Sequence, residues 1–239
     1  MTNKKLLNGT AVAIAILLIL VGAGIGLATE GENPNSSAKA TAQIAELDVF
    51  SACATQGDEV DWHGTGPVDI LEQTIKTANG KDLFIDVSLL SGLYTETNVK
   101  SKGGQKDTSG AAAGVLLAVF VDGEMVYPYY PVVFNARIQE LSATLQGIIT
   151  DMEEVDGVWT FTTEFEEIGL WIATMSTNSF NFIVPDLESG MHTVTVKAAC
   201  VSAAWSQNGN AGAMAAIGLG SVTIEEVRMI QGEDAVPEY

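Results

Sequence analysis

Nineteen uncharged, mostly apolar residues, Thr10–Ala28 (TAVAIAILLILVGAGIGLA), stand near the start of this 239-residue chain. A segment apolar on every side has no polar face to turn to water, so it cannot form the surface helix of a soluble domain. Wound as a helix it extends about 28 Å, close to the ~30 Å hydrocarbon core of a bilayer. Lys4 and Lys5 are the only basic residues ahead of it, and the first acidic residue is Glu30. A basic head before an apolar run holds that end in the cytoplasm and sends the rest across the membrane. Three fates fit: a retained anchor, a signal peptide cleaved at the small-x-small site Gly26-Leu27-Ala28, or a pilin-type leader cut after Gly9. In each, residues 1–28 are a signal or membrane anchor and the fold is built from the residues after Ala28. The expected location is extracellular or at the cell surface, with a cytoplasmic N-terminus if the anchor is kept.

The exported part is strongly acidic. It carries all 30 acidic residues and nine of the eleven basic ones, a net charge of −21. Such a surface repels nucleic acid and anionic lipid, which excludes nucleic-acid binding. Residues 29–40 (from TEGENPNSS) are polar and read as a stalk, with Asn35-Ser36-Ser37 as an N-glycosylation sequon. Residues 41–231 form the expected ectodomain, and 232–239 a polar tail.

The chain has two cysteines, Cys53 and Cys200. An even count in an exported chain points to a disulfide. Cys53 is in strand phase with Leu47, Val49 and Ser51, and Cys200 with Val194, Val196 and Ala198. Both therefore lie on apolar faces, and a bridge would tie the first strand to a late one.

Beyond residue 41 the pattern is mainly that of strands. Asn79-Gly80, Asp122-Gly123 and Asp156-Gly157 supply the positive φ pair of a type I′ turn. The first predicts a hairpin between Asp69–Ala78 and Lys81–Glu96, the second one between Val115–Val121 and Glu124–Tyr127. Thr97–Gly110 lacks a run of apolar residues and reads as a long exposed loop carrying Lys100, Lys102 and Lys106. Arg137–Ile149 fits a helix or a strand equally. Glu164–Ser176 reads as one amphipathic helix: Phe165, Ile168, Ile172 and Met175 recur at spacings of three and four, behind a Thr163/Glu166 capping box. Ala211–Gly220 is rich in small residues, suited to a strand packed close to another backbone.

The stretch SFNFIVPDLESGMHTVTVKAACV and, after it, GSVTIEEVRM resemble the closing strands of exported β-sandwich proteins of jelly-roll type, over roughly residues 134–234. The resemblance implies that an x-G-x-H-T-V loop enters a central strand and that a last strand completes the same sheet. It implies no activity. The expected fold is a mainly β, antiparallel, jelly-roll-like sandwich with one inserted helix.

The chemistry of a catalyst is not visible. His63 and His192 lie in unrelated segments, neither with a second ligand at metal spacing. His192 reads as a structural core residue. No nucleophile elbow, phosphate loop or dinucleotide fingerprint occurs. Asp58, Glu59 and Asp61 form one acidic cluster, and Asp151, Glu153, Glu154 and Asp156 another. Either can take Ca²⁺ with backbone help, although the second lacks the sixth-position Gly of a Ca²⁺ loop. Trp62 and Trp205 sit in polar, exposed settings suited to sugar stacking, whereas Trp159 keeps phase with Phe161 and Phe165 and reads as core. The sequence thus predicts no enzyme and no resident cofactor. It predicts a structural or adhesive surface protein that self-associates or meets surface glycans. Two alternatives stay open: a filament subunit in which Thr41–Phe50 adds to a neighbour's sheet, and a carbohydrate- or Ca²⁺-binding module.

Overall fold

The computed structural model describes residues 40–55, 59–78 and 80–228. The anchor, the stalk with Asn35, Asp58, Asn79 and the polar tail lie outside the described residues. The described chain is mainly β, in antiparallel sheets, and contains no helix. Its strands are β1 (Ala40–Thr55), β2 (Asp61–Gly64), β3 (Val68–Thr77), β4 (Lys81–Ser101), β5 (Gln105–Val121), β6 (Glu124–Met125), β7 (Val132–Leu145), β8 (Ile148–Val155), β9 (Val158–Glu164), β10 (Glu166–Leu187), β11 (Gly190–Ser206) and β12 (Asn210–Val227).

The first sheet has the order β1-β12-β4-β10. In the second, β11 lies between β5 and the consecutive strands β2 and β3, and β5 also pairs with β6 and β7. β8 and β9 pair only with each other. The chain passes from one sheet to the other between β1 and β2, β3 and β4, β4 and β5, β10 and β11, and β11 and β12. β11 is central, as the resemblance implies, but β12 completes the opposite sheet rather than the same one.

Alternation explains most of the core. Leu83, Ile85, Val87 and Leu89 on β4 face the same interior as Val115, Leu117 and Val119 on β5 and Val194, Val196 and Ala198 on β11. Fully burying each large aliphatic side chain is worth about 1.5–3 kcal/mol. β12 lies between β1 and β4, where its small residues are required. A Cβ on Gly220 would sit 2.6 Å from Leu89 Cδ2 and 2.8 Å from Leu47 Cδ1.

Several sequence expectations are corrected. Glu164–Ser176 is not a helix. β10 pairs with β4 from Glu166↔Ser101 to Leu187↔Lys81, and that long ladder outweighs the local helical period and capping box. The ambiguous Arg137–Ile149 is strand in β7 and again from Ile148. Thr97–Gly110 is not a loop: β4 and β5 run through it, leaving only Lys102–Gly104 as a turn. Its polar residues Thr97, Ser101, Asp107 and Ser109 point inward and are buried. The turns at Asp122-Gly123 and Asp156-Gly157 have positive φ at both positions and close two-residue hairpins. Gly80 also has a positive φ, but β3 and β4 lie in different sheets, so this turn is a crossing and not a hairpin.

The expected disulfide is not formed: Cys53 and Cys200 are both buried free thiols. Phase put both on inward faces, but level separates them. Cys200 Sγ donates to the Val49 carbonyl (3.4 Å), and Ser51 meets Ser202 two residues further along both strands. The two thiols thus meet different partners: Cys200 Sγ turns to Val49, and the Cys53 side chain meets Ser202, two residues beyond Cys200. Burial pushes the Cys200 thiol up to about 12. Burial also raises that of Cys53.

Candidate association surface

The interior changes character along β4. Past Leu89 its inward row reads Ser91, Leu93, Thr95, Thr97, Val99, Ser101, and the polar members are buried. The partners come from β7, whose inward positions are Asn135, Arg137 and Gln139. Asn135 Nδ2 donates to Ser91 Oγ (2.8 Å) and Ser176 Oγ (3.3 Å). Arg137 donates to the carbonyls of Leu93 (3.4 Å) and Ile172 (3.2 Å) and to Thr174 Oγ1 (2.7 Å). Gln139 accepts from Thr95 (2.9 Å) and donates to Thr97 Oγ1 (2.8 Å) and the Leu170 carbonyl (2.9 Å). A buried polar group is tolerable only when paired: Ser101 donates to the Gln105 carbonyl beyond the turn, and this row pairs Ser91, Thr95 and Thr97 across the two sheets. Its effect is to pin β10, an edge strand, to β7.

The outer side of β10 carries no strand among the described residues. Ile168 (44% exposed), Leu170 (43%) and Ile172 (37%) face inward but are incompletely covered, because β10 is the last strand of its sheet. Trp171 (62%) and Met175 (40%) stand on the opposite face. Both faces of one edge strand are thus apolar. From Glu166 to Val184 it has none of the Pro, Lys or bulge devices by which edges are normally blunted. Phe165 precedes it, with Lys102 Nζ 4.5 Å from its ring centroid, and Lys100 pairs with Glu167 at 2.9 Å.

The β8–β9 hairpin adds to this exposed surface. Met152↔Phe161 and Glu154↔Trp159 share one of its faces, and Met152, Trp159 and Phe161 are all exposed. Trp159 is therefore not a core residue: its strand pairs with β8 alone. Trp62 is exposed as expected, but Trp205 is partly covered and its ring lies where a Cβ on Gly110 would be, 2.0 Å from Cζ2. The three exposed tryptophans are on β2, β9 and β10, and nothing arranges them as one sugar platform. A cavity of about 230 Å³ opens on the outer face of the first sheet, lined in part by Phe50, Leu90, Met175 and Leu219, where bulges in β1 and β12 meet.

The acidic residues do not converge. On the hairpin, Glu153 and Glu154 point to opposite faces, as strand neighbours must. Among the described residues no group of three or more His, Cys, Asp or Glu side chains is placed to hold a metal ion. Asp151, Glu153, Glu154 and Asp156 therefore do not gather into one cluster of side chains. His63 pairs with Asp61 at 3.0 Å on an exposed strand.

His192 is buried and structural in geometry. Its Nδ1 lies 2.7 Å from Asp122 Oδ2 and its Nε2 lies 3.0 Å from the Glu188 carbonyl oxygen. Both partners can only accept, so both bonds form together only in the doubly protonated ring. Burial opposes that charge, but the Asp122 and Glu188 bonds and charges outweigh it and raise the His192 pKa. Asp122 is also disfavoured by burial. The Thr193 N–H and the His192 ring outweigh this and lower its pKa.

No family model and no curated protein matches the chain. Similar solved structures include the carbohydrate-binding module TmCBM61 in complex with β-1,4-galactotriose, at 11% identity and TM-score 0.13, covering 74% of this chain and 86% of the module. A bacterial lipoprotein from Bacteroides thetaiotaomicron has 12% identity and TM-score 0.20, covering 80% of this chain and 85% of its own. The Eiger TNF of S. frugiperda has 8% identity and TM-score 0.16, covering 80% and 99%. At these scores the likenesses carry no argument about this chain.

The sequence missed the β10 edge as a surface because helical spacing concealed it. The signal that could have found it was the density of apolar residues at both odd and even positions from Phe165 to Met175.

Proposed function

We propose that this chain is an exported structural protein of the cell surface, non-catalytic, that works by associating with other surface protein through its sheet edges. The observation that carries the reading is β10: a long edge strand, apolar on both faces and pinned in place by a row of buried hydrogen bonds. An edge of this kind is a template for strand pairing. The export address rests on the Lys4-Lys5 head and the apolar run after it. The orders β1-β12-β4-β10 and β3-β11-β5-β7, with the chain alternating between them, support a jelly-roll architecture.

The filament reading has its own support. β1 is the other edge of the first sheet, broken by a bulge between Glu46 and Val49, with Ile44 and Phe50 exposed. A strand so placed can leave its sheet at lower cost than a central one. Cell fractionation with N-terminal sequencing tests the proposal. Surface recovery starting at Met1 supports an anchored protein, at Thr29 a released one and at Thr10 a pilin-like subunit. Recovery from the cytoplasm alone contradicts it.

A further inference from the structure

The apolar edge of β10 suits a particular occupant, and the sequence of the edge itself indicates which. We propose that a second copy of this chain pairs antiparallel along β10, with Leu170 on the two-fold axis. The inference rests on the surface-association reading and names its partner.

A two-fold contact requires a patch that complements itself. With Leu170 opposite its own copy, Ile168 faces Ile172 of the second chain. Trp171 faces Gly169, so the largest side chain on the edge covers the one position without any. Phe165 faces Met175, a ring beside a thioether. Glu166 and Glu167 face Thr174 and Ala173, so no carboxylate opposes another. In this register every bulky residue from Phe165 to Met175 meets an apolar partner.

Area supports the same occupant. Phe165, Ile168, Leu170, Trp171, Ile172 and Met175 are between 37% and 62% exposed. Burying their exposed parts with the adjoining backbone removes on the order of 600 Å² per copy, about 1,200 Å² in all, the lower end for a specific stable interface. The edge is already ordered for the contact, because Gln139 and Arg137 hold the carbonyls of Leu170 and Ile172 in place. Charge argues against the head-to-tail alternative. β1 would bring Glu46 and Asp48 to an edge that already carries Glu166 and Glu167.

Leu170→Cys in the full chain tests the register, because Cys53 and Cys200 are buried and leave little thiol background. Mild oxidation is expected to give a disulfide-linked dimer. Ile138→Cys, on the outward face of β7, is expected to give none. Trp171→Lys is expected to weaken self-association by about 30-fold or more, the effect of losing an interface hot spot, with an unchanged far-UV spectrum. A multimeric chain in which Leu170→Cys stays reduced would overturn the proposal and leave the surface-protein reading intact. So would cross-linking of an Ile44→Cys chain to a Leu170→Cys chain in preference to Leu170→Cys with itself. Recovery of the chain from the cytoplasm alone would defeat the functional reading without touching the dimer.

Discussion

The imidazole of His192 and the carboxylate of Asp122 meet at 2.7 Å across 70 residues of chain, at the corner where β5 turns and β11 begins. Asp122 has a positive φ of 51° in the β5–β6 turn, and its other oxygen accepts the Thr193 N–H at 2.8 Å. The pair thus ties a hairpin tip to the central strand.

This contact makes stability depend on pH. The His192 pKa is raised in the fold, so its contribution is complete below the unfolded value of about 6.5 and is lost as pH rises through the folded value. The Asp122 pKa is lowered, so its contribution is present above the unfolded carboxylate value and is lost as pH falls through the folded one. The melting temperature should therefore fall as pH rises above about 6.5. His192→Gln should flatten that slope. An equal slope in the variant would show that other groups set it.

The row on β7 should be expensive to remove. Gln139→Ala deletes three hydrogen bonds and leaves buried Thr95 and Thr97 hydroxyls without their β7 partner. The expected loss is about 2–3 kcal/mol in urea unfolding. Because Gln139 also fixes the Leu170 carbonyl, hydrogen exchange along β10 should quicken more than along β12. A uniform change in both strands would mean that the row does not pin the edge.

At one end of the sandwich, Asp107 organises two turns. Its Oδ2 accepts the Lys100 N–H at 2.5 Å, and its Oδ1 accepts the Asn208 N–H at 3.0 Å and the Thr108 N–H at 2.9 Å. Asp107→Ala should cost about 1–3 kcal/mol, since these partly covered donors then lose their acceptor. Next to it, a Cβ on Gly209 would fall 1.8 Å from the Asn98 carbonyl oxygen. Gly209→Ala should destabilise by roughly 3 kcal/mol, because backbone and not a flexible side chain stands in the way. Urea midpoints of the two variants near wild type would contradict both.

The two thiols should be silent in the native protein. A thiol reagent should label neither Cys53 nor Cys200 until denaturant is added, and then both. Reducing agent should leave the melting temperature unchanged. A reductant-dependent drop would mean that the thiols are bridged.

Much of the architecture was legible in residues whose chemistry is local. Asp122-Gly123 and Asp156-Gly157 declare their turns because few other pairs accept two positive φ values. Met191–Ala199 declares a strand because one face is apolar and the other polar. The polar interior was not legible. Ser91, Thr95, Thr97, Asp107 and Ser109 point inward against partners more than 40 residues away on β7, or more than 100 away near Asn208 and Asn210. Such pairing leaves no local trace, so buried strands looked like a soluble loop. The β10 edge failed for the opposite reason. Apolar side chains on both faces satisfy a helical period as well as a strand, and only the ladder with β4 decides between them. Cys53 and Cys200 show a third limit: strand phase gives the face of a residue but not its level.

Self-association through β10 is tested most directly by sedimentation velocity of the full chain. The prediction is a concentration-dependent dimer that grows with added salt, as screening relieves repulsion between two chains of high negative charge, and that Trp171→Lys converts to monomer with the fold unchanged. A single monomeric species at every concentration and salt, or a multimer indifferent to Trp171→Lys, would contradict it.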